Sequence, residues 1–120
     1  MKYKSFYSPA RIYCALGYSL QGLKSTFETE ASFRLDVLVV AIAVPTALIL
    51  NVDAASKAIL IGSAFLILVT ELINTAIEAA VDGYSKEVNK FSKLAKDASS
   101  ACVFVAIINA TIIWAIILLS

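Results

Sequence analysis

The chain has 120 residues, of which 60% are hydrophobic, and its ten basic and nine acidic residues give a formal net charge of +1. A mean hydropathy of +0.84 predicts a single-domain integral membrane protein, since soluble domains are far more polar. The balanced charge gives no support for nucleic-acid binding. The sequence contains no histidine, which excludes histidine-based catalysis and leaves oxygen ligands suited to Mg²⁺, Ca²⁺ or Mn²⁺.

The N-terminal region has the pattern of an amphipathic helix. Ser8 followed by Pro9 is typical of a helix start, with Ser as the N-cap and Pro in the first helical position. Apolar residues then recur on one helical face, and these are Ile12, Leu16, Leu20, Leu23 and Phe27. We therefore predict a helix over about residues 8–30 that lies in the membrane interface.

Three apolar segments follow, and each is long enough to cross a bilayer. They predict transmembrane helices over about residues 35–52, 58–82 and 98–119, with a short turn between the first two. Residues 83–97 are predicted to form a polar loop, and Asp97, Ser99 or Ser100 is expected to cap the third helix. The fold class is an all-α membrane protein, with one interfacial helix and three spans in one domain over residues 1–120.

The distribution of basic residues predicts the orientation in the membrane. Nine of the ten precede the first span or lie in the 83–97 loop, and only Lys57 lies on the other side. The positive-inside rule places the larger group in the cytoplasm. The N-terminus is therefore predicted on the cytoplasmic side of the membrane and the C-terminus on the outer side.

The second span carries a polar stripe, which we define as Glu71, Asn74, Glu78 and Asp82. At about 100° per residue these positions fall on one side of a helix. A carboxylate at membrane depth costs on the order of 2.5–3.5 kcal/mol on insertion scales, so intramembrane carboxylates usually mark a functional site. Hydrogen bonding to neighbouring helices alone is the simpler interpretation, but it fits two glutamates on one stripe poorly.

These residues could support phosphoryl transfer. The sequence has no glycine-rich phosphate loop, so a nucleotide would be held by a metal on carboxylates and by single Lys or Arg side chains. Glu71, deepest in the stripe, fits a base acting on a lipid hydroxyl. Glu78, nearer to water, fits a metal ligand, and the other candidates at the same membrane face are Arg11, Glu30, Lys96 and Asp97.

Two motifs give the chain a specific resemblance. They read Glu71-Leu-Ile-Asn-Thr-Ala-Ile-Glu-Ala-Ala-Val-Asp82 and Ala95-Lys-Asp-Ala-Ser-Ser100, and Ala15-Leu-Gly-Tyr-Ser19 and Glu30-Ala-Ser-Phe-Arg34 extend the match. The chain resembles the bacterial integral-membrane diacylglycerol kinase family from about Arg11 onward. The resemblance implies a homotrimer with active sites built from neighbouring chains, and MgATP-dependent phosphorylation of a lipid alcohol to give phosphatidic acid from diacylglycerol.

The resemblance also implies roles for individual residues. Glu71 matches the catalytic base, and Glu30 and Glu78 match the metal-binding carboxylates. The residues matching nucleotide contacts are Arg11, Tyr18, Glu30, Glu78, Glu87, Lys96 and Asp97. The residues matching substrate contacts or bordering the lipid are Arg11, Ser19, Phe33, Arg34, Glu71, Asn74, Ser100 and Trp114.

Other interpretations remain for these residues and for the function. Lys96 could extend along the interface, Asp97 could only cap a helix, and Trp114 could anchor the chain at the interface. Arg11 could bind headgroups alone and Tyr18 could be an interfacial aromatic. An undecaprenol kinase is the alternative function, and a small oligomeric proton or cation channel is a distant one, because a channel explains Glu71 but not Lys96, Asp97 or Glu30.

Overall fold

A computed structural model describes residues 8–84 and 87–120 as four helices. They are α1 (Pro9–Thr29), α2 (Ala31–Ile49), α3 (Ala54–Tyr84) and α4 (Lys90–Leu119). The chain divides into two compact units, Met1–Ala31 and Ser32–Ser120, which are described separately below. Lys2, Lys4 and Lys86, which contribute to the charge distribution, lie outside the described residues.

The first unit consists of α1, whose start follows the predicted signal. Ser8 is the N-cap and its hydroxyl accepts a hydrogen bond from the Arg11 backbone N–H at 3.2 Å, with Pro9 in the first turn. The helix ends where Glu30 takes an extended conformation (φ −113°, ψ 108°). Its placement in a membrane interface stays a prediction.

A tight connection joins α2 to α3 in the second unit. The Asp53 carboxylate accepts a hydrogen bond from the Ser56 backbone N–H at 2.9 Å, which caps the start of α3. Lys57, in the first turn of α3, donates a hydrogen bond from Nζ to the Leu48 carbonyl near the end of α2 at 2.7 Å. Hydrogen bonds from the Ser56 side chain and backbone lower the pKa of Asp53. Asp53 of the connection and Lys57 in the first turn of α3 thus hydrogen-bond backbone groups at the start of α3 and near the end of α2.

The main helical contact is the antiparallel pair of α3 and α4. Small residues dominate its buried surface, which lets the two backbones approach closely. Ile67 of α3 packs with Ala106 and Ala110 of α4. Trp114 contacts the same cluster and donates a hydrogen bond from Nε1 to the Ser63 hydroxyl at 3.1 Å. Ala64, one turn before Ile67 on α3, packs against Val40 and Ala43 of α2.

The third span begins earlier than the sequence predicted. Asn89 and Ser92 form a reciprocal capping box, in which the Asn89 side chain accepts from the Phe91 and Ser92 backbone N–H groups at 2.9 Å. The helix therefore starts at Lys90, and much of the predicted polar loop is its first two turns. The expected caps at Asp97, Ser99 and Ser100 are wrong, since all three lie inside α4.

Three helices, α2, α3 and α4, are long and apolar enough to cross a membrane. At about 1.5 Å per residue, the 31 residues of α3 extend roughly 46 Å. The hydrocarbon core is only about 30 Å thick, so part of this helix lies at or beyond the bilayer surface. Large apolar side chains on all three helices face outward, as expected where lipid or another membrane helix covers them.

Candidate active site

Burial along the polar stripe changes steadily from one end to the other. Glu71 is buried, with 7% of its surface exposed, whereas Asn74 and Glu78 are half-buried and Asp82 is exposed. All four lie on α3, whose continuous helix brings them to one side. The stripe therefore runs from an apolar environment beside Glu71 toward a polar end of the α3–α4 pair at Asp82.

A hydrogen-bonded chain joins the stripe to α4. The Asn74 amide donates from Nδ2 to Glu78 Oε1 at 3.2 Å, one helical turn away. Its oxygen accepts a hydrogen bond from the Ser99 hydroxyl at 2.8 Å. Ser99 is itself buried, with 4% of its surface exposed. From the sequence, Ser99 is predicted only as a possible cap, because the register between α3 and α4 is needed to place it opposite Asn74.

Two ion pairs surround the polar end of this helical pair. Lys96 Nζ lies 2.6 Å from Asp82 Oδ1, which links α4 to the end of the stripe. One turn earlier, Lys93 Nζ lies 2.6 Å from Asp97 Oδ2 within α4. Lys96 is therefore paired with Asp82 of the polar stripe. Asp97 lies within α4 and not at its start, and its exposed side chain is paired with Lys93.

A small polar cavity of about 170 Å³ lies between these groups. It brings together three of the predicted nucleotide contacts, Glu87, Lys96 and Asp97. Both cations and carboxylates line it, which suits a ligand that presents both phosphate oxygens and hydrogen-bond donors. Its other lining residues are Val81, Asp82, Val88, Ser92 and Lys93.

The remaining predicted residues are distributed over both units. Ser100 lies next to Ser99 on α4 and is exposed, and Phe33 is buried in the first turn of α2, followed by the exposed Arg34. Those in the first unit are Arg11, Tyr18 and Ser19 on α1 and Glu30 directly after it.

Trp114 lies far from the polar end. Its partner Ser63 is eleven residues before Asn74 on α3, which corresponds to about 16 Å along the helix axis. Trp114 borders an apolar groove of about 450 Å³ formed by residues of α2, α3 and α4. If Trp114 contacts the substrate, it does so at an apolar part of the molecule and not at the reacting group.

Comparison with known proteins identifies the family of this chain. The family model described as prokaryotic diacylglycerol kinase matches residues 17–118. The chain belongs to the prokaryotic diacylglycerol kinase family. The diacylglycerol kinase of Escherichia coli strain K12 is 44% identical over 110 residues, which cover 92% of this chain and 90% of that protein. The diacylglycerol kinase of Pseudomonas aeruginosa is 46% identical over 109 residues, which cover 91% and 89%.

A third relative, with lower identity to this chain, is also a diacylglycerol kinase. The diacylglycerol kinase of Helicobacter pylori strain 26695 is 38% identical over 104 residues, which cover 87% of this chain and 81% of that protein. The predicted family is therefore confirmed. Family membership together with three helices capable of spanning a bilayer identifies a multi-pass membrane protein.

Proposed function

We propose that this chain is an ATP-dependent diacylglycerol kinase, which transfers the γ-phosphoryl group of ATP to the free hydroxyl of diacylglycerol and releases phosphatidic acid and ADP. Membership of the prokaryotic diacylglycerol kinase family supports this function. The observation that carries it is the path of polar groups along one side of α3, from buried Glu71 past Asn74 and Glu78 to exposed Asp82, which forms an ion pair with Lys96 of α4. Such a path suits a reaction between a substrate dissolved in lipid and one dissolved in water.

Glu71 is the proposed base. It lies at the buried end of the stripe, where a lipid hydroxyl could approach from the membrane. As the hydroxyl oxygen forms its bond to the γ-phosphorus, its proton passes to the Glu71 carboxylate and the bond to the β-phosphate oxygen breaks. The proton later leaves to water, so the balanced products are phosphatidic acid, ADP and one proton.

Part of the nucleotide is proposed to occupy the polar cavity, whose volume of about 170 Å³ is too small for the whole of ATP. Lys96 would neutralise phosphate charge, and Glu87 and Asp97 would accept hydrogen bonds from the sugar or base. Arg11 and Tyr18 are assigned to the nucleotide from the family resemblance. No glycine-rich loop is present in the sequence, so side-chain charges and a metal take the place of backbone N–H groups.

The chemistry of the carboxylates fits Mg²⁺. The Asn74 amide takes one hydrogen-bonding direction of Glu78 Oε1, and a carboxylate offers about four, so others remain for a hard cation. We propose that Glu78 would hold the metal, and Glu30, which belongs to the first unit, is assigned to the metal from the family resemblance alone. When bound, Mg²⁺ neutralises charge on the transferring phosphate.

The lipid is proposed to lie along the apolar part of the second unit. The groove beside Trp114 is lined mainly by aliphatic side chains, which suits an acyl chain. Ser19, Phe33, Arg34 and Ser100 are proposed to border the lipid nearer its headgroup. The relatives described above are diacylglycerol kinases, so the undecaprenol alternative is not favoured, nor is an ion channel.

We further propose a homotrimer in the bacterial inner membrane, with the N-terminus in the cytoplasm and the C-terminus outside. Large apolar side chains over much of α4, including Phe104, Ile108 and Ile112, face outward. Neighbouring chains could cover part of this surface and could complete each site. The proposed orientation opens the polar cavity toward cytoplasmic ATP.

The function is tested with purified protein in mixed micelles and radiolabelled ATP, with diacylglycerol and undecaprenol offered side by side. We expect phosphorylation of diacylglycerol at a much higher kcat/KM. Glu71→Gln should lower kcat by at least about 10²–10⁴-fold, as for loss of a general base, with ATP still bound. Glu28→Gln, on exposed surface of α1, is the control and should retain activity. Preference for undecaprenol, or a Glu71→Gln variant with more than half of the activity, would contradict the proposal.

A further inference from the structure

Ser99 reaches the proposed metal ligand through one intermediate side chain. Its hydroxyl oxygen lies 2.8 Å from Asn74 Oδ1 on the facing helix. Asn74 Nδ2 in turn lies 3.2 Å from Glu78 Oε1. Ser99 is buried, so water does not readily replace this contact. The three side chains form a chain that begins on α4 and ends at a carboxylate of the polar stripe.

The direction of these hydrogen bonds is set by their chemistry. A hydroxyl carries one hydrogen, and that of Ser99 can go to Asn74 Oδ1 or to the Lys96 carbonyl at 3.0 Å. When it goes to Asn74, the amide must turn its NH₂ group toward Glu78. The opposite amide orientation would place the amide oxygen against a carboxylate oxygen, with no hydrogen-bond donor between them, which is repulsive. Ser99 thus favours the orientation in which Asn74 donates to Glu78.

We propose that Ser99 is a positioning residue that orients the Asn74 amide and thereby fixes the Glu78 carboxylate for metal binding. This inference rests on the proposed function, in which Glu78 holds the metal. Groups that hold a metal ligand in place commonly change metal affinity by about 10- to 100-fold when they are removed. Ser99 acts through one more side chain, so we expect a smaller effect, about 3- to 10-fold.

A second polar contact between α3 and α4 offers a matched control. Ser63 accepts a hydrogen bond from Trp114 Nε1 at 3.1 Å, about 16 Å along the helix from Asn74. Like Ser99, Ser63 is a buried serine that links the two helices. Ser63→Ala should weaken the helical pair without reaching Glu78. A purely structural role for Ser99 predicts the same behaviour in Ser99→Ala.

The experiment measures binding of Mn²⁺, as a probe for Mg²⁺, by electron paramagnetic resonance with a non-hydrolysable ATP analogue and no turnover. Ser99→Ala should weaken Mn²⁺ binding about 3- to 10-fold. Ser99→Thr, which keeps the hydroxyl, should bind Mn²⁺ with the affinity of the unmodified protein, and so should Ser63→Ala. Ser99→Cys, with a weak donor of similar size, should give an intermediate affinity and serves if Ser99→Ala fails to fold. Unchanged Mn²⁺ affinity in both Ser99→Ala and Ser99→Cys overturns the inference.

Two further arms separate the possible failures. In an Asn74→Ala background, Ser99→Ala should have no additional effect, and a full additional effect would show that Ser99 does not act through Asn74. Glu78→Gln is measured in parallel. If Glu78→Gln loses Mn²⁺ binding while Ser99→Ala does not, only this inference fails. If Glu78→Gln also binds Mn²⁺ normally, the proposed metal site and the inference both fail.

Discussion

Lys96→Met separates a role in nucleotide binding from a role in stability. The substitution removes the charge but keeps an unbranched apolar side chain. The ion pair that it breaks is partly solvated, since the side chains of Lys96 and Asp82 are 42% and 63% exposed. Exposed ion pairs contribute little because water and salt screen them, so the free energy of unfolding should change little. Asp82 can be hydrated once its partner is gone.

The expected effect on nucleotide binding is larger. A hydrogen bond to a charged group contributes about 1.5–3 kcal/mol, and each 1.4 kcal/mol is a factor of ten in affinity. Because Lys96 is partly exposed, we expect the lower end of this range, a rise in the KM for MgATP of about 10-fold. The KM for diacylglycerol should change much less. The assay is steady-state kinetics in mixed micelles with each substrate varied in turn, together with thermal unfolding in the same detergent.

Lys90→Met is the control for this experiment. Lys90 is an exposed lysine in the first turn of the same helix, it does not line the polar cavity, and its Nζ lies 5.9 Å from the centroid of the Phe91 ring. Its replacement should affect stability as little as Lys96→Met does and should change the KM for MgATP by less than about threefold. If Lys96→Met leaves that KM within twofold of the unmodified protein, Lys96 does not bind the nucleotide.

Three further predictions concern pH, orientation and assembly. Hydrogen bonds lower the pKa of Asp53 in the folded chain, so its contribution to stability is complete above about pH 3.8 and disappears as pH falls through the lowered pKa. Asp53→Asn should therefore reduce the loss of unfolding free energy on acidification. An unchanged dependence of stability on acid pH in this variant would contradict the prediction. In a background without native cysteines, Ala54→Cys and Lys90→Cys should react with an impermeant reagent from opposite sides of the membrane, and labelling from one side only would refute the orientation. Mixed oligomers of Glu71→Gln and Glu78→Gln chains should regain activity that neither has alone, whereas no recovery together with a monomeric mass in mild detergent would refute shared sites.

The sequence predicted the parts of the fold that depend on local pattern. The uninterrupted apolar segment around Glu71 led to one long helix, and the helical period led to one polar stripe on it. The order of depth, with Glu71 most buried and Asp82 exposed, also follows from position in that segment. The family was predictable because its motifs place charged residues at fixed intervals in an apolar context, and the family match confirms it.

The start of α4 was mispredicted for a local reason. The Lys and Asp residues of the 83–97 segment indicate a polar loop by composition, but Asn89 and Ser92 also have the pattern of a helix start. Once the helix starts at Lys90, Lys93 and Asp97 are one turn apart and form an ion pair on its surface. Charged residues at a membrane surface are compatible with helix as well as with loop, so composition alone did not distinguish the two.

The contact between Ser99 and Asn74 required information that one sequence does not contain. The two residues are 25 positions apart, and their meeting depends on the register of α3 against α4. That register is set by packing of Ile67 against Ala106 and Ala110, where every small residue of α4 is a plausible partner before the structure is known. Local periodicity predicts which face of each helix is polar, but not which polar groups meet.

The proposed reaction requires a site that a lipid and a nucleotide can reach from different solvents. A helix longer than the bilayer core meets this requirement if its polar groups follow one side from buried depth to the surface, as the polar stripe of α3 does. The neighbouring helix α4 then supplies partners along that side, with Ser99 at the level of Asn74 and Lys96 at the level of Asp82. A pair of helices can therefore place a buried base near lipid and cations near ATP without a phosphate-binding loop.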